Sequence, residues 1–266
     1  NAVAIGKDSG QLNQGANAVA IGSSGMISQG EFCVAMGYGC GVTRQGANSV
    51  AIGKEAGLST QGSNSVAIGS SSGQTNQGAS CVAIGNGAGT GSQGIFSIAI
   101  GTYAGNSTQG ADSVAIGNSS GRTSQGNSSV AIGTYAGHST QGADSVAIGN
   151  SSGRTSQGNS SVAIGNLAGS FTQGTESVAI GNQAGAITQG DNAVAIGNQA
   201  GSGTQGNNAI AVGNQAGQTT QGVNSIAIGR LSGQNNQSTN CLAIGKFAGQ
   251  IYQRNDSIAI GSYAGQ

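Results

Sequence analysis

Asp112, Asp144 and Glu176 stand at equal spacing along the chain, and the one histidine, His138, falls among them. Paired carboxylates can cleave a glycosidic bond when set about 5–9.5 Å apart across a cleft, and a histidine can act as a general base. Cys33, Cys40, Cys81 and Cys241 are of the type that holds a metal or closes a disulfide. G-N-G-A-G-T-G at 85–91 has the composition of a phosphate loop. Whether any of this becomes chemistry depends on the elements that position it.

Those elements are set by an unusual composition. The 266 residues include 52 Gly and no Pro, with 8 Lys+Arg against 8 Asp+Glu and therefore no net charge. Charged residues make up 6% and aromatics 3%, and Trp is absent. Soluble domains carry about 25–35% charged residues at the surface, so an ordinary enzyme surface is not expected. Nucleic-acid binding needs a basic field and stacking aromatics, and neither is present. No apolar run approaches the roughly 18–20 residues of a membrane span, and no signal-peptide pattern opens the chain.

The chain is one repeat from end to end. A glycine closes each V-A-I-G-like segment at 6, 22, 37 and 53, then at a constant 16-residue step to Gly261, which gives 17 units. The consensus reads N-S-V-A-I-G-N-x-A-G-x-x-T-Q-G-x. Residues 102–133 recur as 134–165 with one change, Asn106 to His138. Counting from the Asn, and allowing for the one residue missing from the unit at 17–31, position 4 is Ala and positions 6 and 10 are Gly in all 17 units; position 14 is Gln in all 16 units that reach it. No linker or composition shift divides the sequence, so 1–266 reads as a single repetitive domain and as a segment of a longer chain.

N-S-V-A-I alternates with period two, the pattern of a half-buried strand. A second short strand fits x-x-T-Q. Glycines at positions 6, 10 and 15 supply the turns, and helix is disfavoured by about 1 kcal/mol per Gly. The fold class is therefore all-β: a parallel β-solenoid or β-roll of 17 coils, each a 16-residue coil with two short strands. Stacking joins the apolar residues of successive coils into one ladder. At about 4.8 Å per coil the rod would be roughly 80 Å long.

Two columns stand out. Val/Ile at positions 3 and 5 point one way, and Ser/Ala and Ala at 2 and 4 the other. The strict smallness of Ala67, Ala83, Ala99, Ala115, Ala131, Ala147, Ala163 and Ala179 is read as an oligomer interface, ranked above a cramped interior. Gln77, Gln93, Gln109, Gln125, Gln141, Gln157, Gln173 and Gln189 are read as a structural amide ladder, each bonding its equivalent one coil away.

On such a frame the chemical candidates weaken. Carboxylates at position 1, two coils and so roughly 10 Å apart, line a flat column with no cleft. His138 is a substitution at a position held by Asn106 in the duplicated block. Cys33, Cys81 and Cys241 replace Ser or Ala at position 2, and Cys33 and Cys81 are too far apart for a disulfide. The phosphate-loop glycines are the repeat's own. Asn106, Asn118, Asn127, Asn150, Asn159 and Asn236 fit N-x-[ST], a frequent chance match in so Asn- and Ser-rich a chain. No cofactor, metal or catalytic residue is expected.

N-A-V-A-I-G at 1–6 and N-S-V-A-I-G at 48–53 and 64–69 resemble the YadA-type head repeat of trimeric autotransporter adhesins. The resemblance implies a left-handed parallel β-roll, three chains side by side, and an adhesive role at a cell or virion surface. The expected function is a structural surface fibre or adhesin segment that self-associates as a homo-oligomer, trimer favoured, with its surface ligand unknown. Two alternatives stand beside it. One is an ice-binding solenoid using the Thr/Ser column at position 13, from Thr60 to Thr220; the other is an extracellular filament subunit that stacks end to end.

Overall fold

A computed structural model describes residues 1–265. The chain divides into two compact units, Asn1–Ile132 and Gly133–Gln266. Each is a parallel β-solenoid, and no helix occurs among the described residues.

In both units the first strand of a coil is the V-A-I segment, as at Val66–Ile68 and Val178–Ile180, and the second is the short segment before the glycine of position 15, as at Thr60–Gln61 and Thr188–Gln189. Strands pair in parallel with their equivalents one coil away: Val50 with Val66 and Ala51 with Ala67 in the first unit, Val178 with Val194 and Gln189 with Gln205 in the second. The one shortened coil in the first unit is absorbed without loss of register, since Val19 still faces Val34 and Gly22 faces Gly37. The backbone bonds run from coil to coil, for example Val178 N–H to Ala193 O at 2.9 Å and Gly190 N–H to Gln205 O at 2.8 Å. Every coil that stacks therefore satisfies its neighbour's polar backbone, which a Pro would interrupt.

The turns explain the invariant glycines. Gly185 takes φ +53, and a Cβ there would lie 2.8 Å from Gln189 Oε1 and 3.4 Å from the Ala179 Cβ. Gly158 has an ordinary φ, but a Cβ would meet the backbone of Gly174 at 2.6 Å. Positions 1 and 8 also enter the left-handed region without glycine, as at Asn192 (φ 56), Gln183 (φ 55) and Leu167 (φ 57). Asn tolerates that conformation; a leucine there costs about 1–2 kcal/mol.

The interior is made of small residues. Ala163, Ala168, Ala179, Ala184, Ala195 and Ala200 form part of one continuous cluster of fully buried side chains. Ala35, Cys40, Ala51, Ala56 and Ala67 do the same in the first unit. The alternation within the strand is as expected, but the faces are reversed. Ala67, Ala83, Ala99, Ala115, Ala131, Ala147, Ala163 and Ala179 have no exposed surface, so they line the inside of each coil and are not an outer interface. The reason is volume: the interior of a coil is so narrow that a Cβ added at the position-10 glycine would already touch the Ala Cβ. Val and Ile cannot enter that space and point outward.

Candidate association surface

The outward side of the first strand is an apolar stripe. Val at position 3 is half-buried, and Ile at position 5 is near 36% exposed at Ile68, Ile84, Ile132, Ile148 and Ile164. Sequence reasoning missed this surface because hydrophobicity marks the core by default. The signal that could have found it is the strict Ala at position 4, which leaves room inside for nothing larger.

The Gln column is buried and in register, yet its amides reach across the coil. Gln189 Nε2 donates to Val178 O at 2.8 Å and to Ala193 O at 3.2 Å. Gln77, Gln93, Gln109, Gln125, Gln157 and Gln173 likewise donate to the position-3 carbonyl of their own coil, at 2.8–3.0 Å. Gln141 lies in the same column and is also buried. Side-chain bonds between neighbours in the column join Gln205 to Gln221 and Gln237 to Gln253, both at 3.1 Å. Amide ladders of the expected kind run instead on the outside. Asn150, Asn166, Asn182, Asn198 and Asn214 form one at position 7, and Gln183, Gln199 and Gln215 form another at position 8.

Serine at position 2 closes the coil corner, as where Ser65 Oγ donates to Gly78 O at 2.8 Å. Cys33, Cys81 and Cys241 make the same bond, from Sγ to Gly46 O, Gly94 O and Arg254 O, each at 2.8 Å. They are serine replacements. All four cysteines are free and buried. Burial pushes the Cys40 thiol up to about 11, against smaller lowering from the Ser24 hydroxyl and backbone.

Asp112, Asp144 and Glu176 are all exposed on the turn that precedes the first strand, and among the described residues none of the three forms an ion pair. His138 stacks edge-on against Tyr135 at 5.3 Å, with Nδ1 3.2 Å from Ser139 Oγ. Among the described residues, no three His, Cys, Asp or Glu side chains gather as metal ligands would, and no helix is long and apolar enough to cross a membrane. Of the N-x-[ST] asparagines, Asn106 spends its amide on Gly87 O and Thr90 Oγ1, and Asn150 belongs to the outer ladder. The glycines of 85–91 are turn glycines: Gly85 and Gly89 stand at positions 6 and 10.

An open hollow of about 240 Å³ lies in the second unit against Leu167, Ser170, Phe171, Ala186 and Ile187. It exists because position 11, long at Arg154 and Gln218, is small at Ser170, Ala186 and Ser202. Its walls offer no charged group.

The geometry thus consists of a narrow alanine interior, a stripe of Val and Ile outside, and polar ladders at the turns. A search of curated proteins returns no match. Four overlapping segments, 156–184, 173–200, 189–216 and 205–232, match the YadA head domain repeat (2 copies). Over residues 156–232 the chain therefore matches the YadA head domain repeat, and it folds there as a parallel β-solenoid with 16-residue coils.

Proposed function

We propose that this chain is a structural, non-enzymatic fibre or adhesin segment, one repetitive domain acting as a homo-oligomer outside the cell or on a virion. YadA head domains belong to trimeric autotransporter adhesins, which supports a structural adhesin-type segment and favours a trimer here. The observation that carries the reading is the exposed Val/Ile stripe, which recurs at the same two positions in coil after coil, whereas other exposed apolar side chains such as Leu12, Phe96 and Tyr252 stand at differing positions. Fully burying such a side chain is worth about 1.5–3 kcal/mol, so even partial burial, summed over many coils, makes a strong self-complementary surface. Rows of exposed apolar side chains of this extent mark interaction sites.

Replacing Ile164 and Ile180 together with Asp tests it. The variant keeps its β-structure by circular dichroism but loses oligomer mass by light scattering. Unchanged mass with both charges in place would remove the stripe from the interface.

A second reading rests on Thr172, Thr188, Thr204 and Thr220, which are exposed and paired in register along one strand column. Such a rank suits ice binding, and thermal hysteresis of the purified chain decides it. The neighbouring position 11 is irregular in residue type, so the fibre reading has the better support.

A further inference from the structure

The chain has no net charge, yet its charges are sorted. Of the 8 acidic residues, 6 stand at positions 16 or 1, on the turn before the first strand; of the 8 basic residues, 6 stand at positions 7 or 11, on or just past the turn after it. These turns are the two edges of the Val/Ile stripe. The coils 112–127 and 144–159 therefore each carry opposite charge on opposite edges. Among the described residues the one ion pair is Lys54–Glu55 at 3.8 Å, between adjacent residues. Asp112 and Asp144 are exposed on the acidic edge. Arg122 lies 5.5 Å over the Tyr103 ring and Arg154 5.7 Å over the Tyr135 ring, contacts that hold each guanidinium at the basic edge.

We propose that the acidic edge of one copy meets the basic edge of a second copy, coil for coil, so that Asp112 faces Arg122 and Asp144 faces Arg154 across the contact. This rests on the self-association read from the Val/Ile stripe and adds its direction and register. Asp112 shares its coil with Arg122, and Asp144 with Arg154, on the opposite edge, so copies lying parallel and level bring the two together. A slip of one coil would set Asp112 against Asn106 and Asp144 against His138, losing both pairs. An edge that joins a different edge makes a heterologous contact, which closes into a ring or continues as a row. Exposed pairs are individually weak, so they choose neighbour and register while the apolar stripe carries the affinity.

The test co-expresses the full chain carrying Asp112→Cys with the chain carrying Arg122→Cys and treats the assembly with a short bismaleimide. The native cysteines are buried, and the unsubstituted chain measures their background. The proposal predicts cross-linked dimer at least several-fold above that from Asp112→Cys with Asn106→Cys. A sedimenting oligomer with no such enrichment overturns the edge contact and leaves the self-association standing. A monomeric native chain overturns both, and sedimentation of the native chain separates the two failures. Charge reversal gives a second arm: Asp112→Arg with Asp144→Arg lowers the fraction assembled, and adding Arg122→Asp with Arg154→Asp in the same chain restores it. No restoration would count against the pairing.

Discussion

Gln189→Glu replaces one side-chain NH2 with oxygen in a space built for a donor. Gln189 is 1% exposed, and its Nε2 gives hydrogen bonds of 2.8 and 3.2 Å to the carbonyls of Val178 and Ala193. A carboxylate there would face two acceptors, and Gln189 Oε1 has no donor near it that the new group could use. Leaving a buried charge uncompensated costs about 3–5 kcal/mol. The protonated acid can still donate one bond, which reduces the loss to about 1–3 kcal/mol. Burial among carbonyls raises the folded pKa of this Glu above its ordinary value of about 4.3. For a raised acid, the folded state holds the proton more tightly. Stability is therefore kept below about pH 4.3 and lost as pH climbs towards the folded pKa.

Gln189→Leu serves as the control. It forfeits the same two bonds but also removes the unpartnered oxygen, so its cost of about 1–3 kcal/mol does not depend on pH. Repeat arrays do not melt as one two-state unit, so the readout must be local. Amide hydrogen exchange at Val178–Ile180 and Thr204–Gln205, corrected for intrinsic rates, reports opening of the affected coils. The Glu variant should lose protection at neutral pH and regain part of it in acid. Protection equal to native at neutral pH, or a Leu variant that tracks the Glu variant at every pH, would refute the cross-coil role of the amide.

Other consequences are simpler. Ala179→Leu overpacks the interior and should destabilise by about 1–3 kcal/mol or more, seen as lost exchange protection; a fully protected variant with only a smaller oligomer mass would return the column to the surface. Leu167→Gly relieves a left-handed backbone at φ 57 and should stabilise its coil by about 1 kcal/mol, measured by the same exchange experiment. The raised Cys40 thiol resists alkylation in the native fold. Because its folded value of about 11 exceeds the ordinary 9.0, stability falls as pH rises from the lower value through the higher, which denaturant titrations across that range would detect. Assembly mass should change little between low and high salt, since the apolar stripe is not screened; dissociation in high salt would place the affinity in the charged edges instead.

The period, the two strands and the coil-to-coil register were legible because each is written as spacing: Ala at position 4 and Gln at position 14 recur once in every coil, and parallel stacking aligns them. The turn glycines were legible for the same reason. The facing of the strand was not. Hydropathy puts Val66 and Ile68 inside and Ala67 outside, whereas the width of the coil interior, a tertiary quantity, admits only Ala67. The Gln column was legible as a structural column of amides, but not its burial or its partners. An amide of that length can reach a neighbouring amide or a carbonyl across the coil, and the narrow interior sets the carbonyl nearer. The left-handed residues at positions 1 and 8 were half legible: Asn48 and Asn64 advertise the conformation, while Leu167 and Tyr135 conceal it. Charge sorting was present in the sequence as position numbers, and it gained meaning only when those positions fell on opposite edges of an apolar stripe.

On this reading the Val/Ile stripe is covered by further copies of the same chain. Sedimentation of the native chain at two widely separated concentrations tests it most directly. A small closed oligomer of fixed mass, a trimer above all, is the predicted result. A clean monomer at both concentrations would contradict the claim.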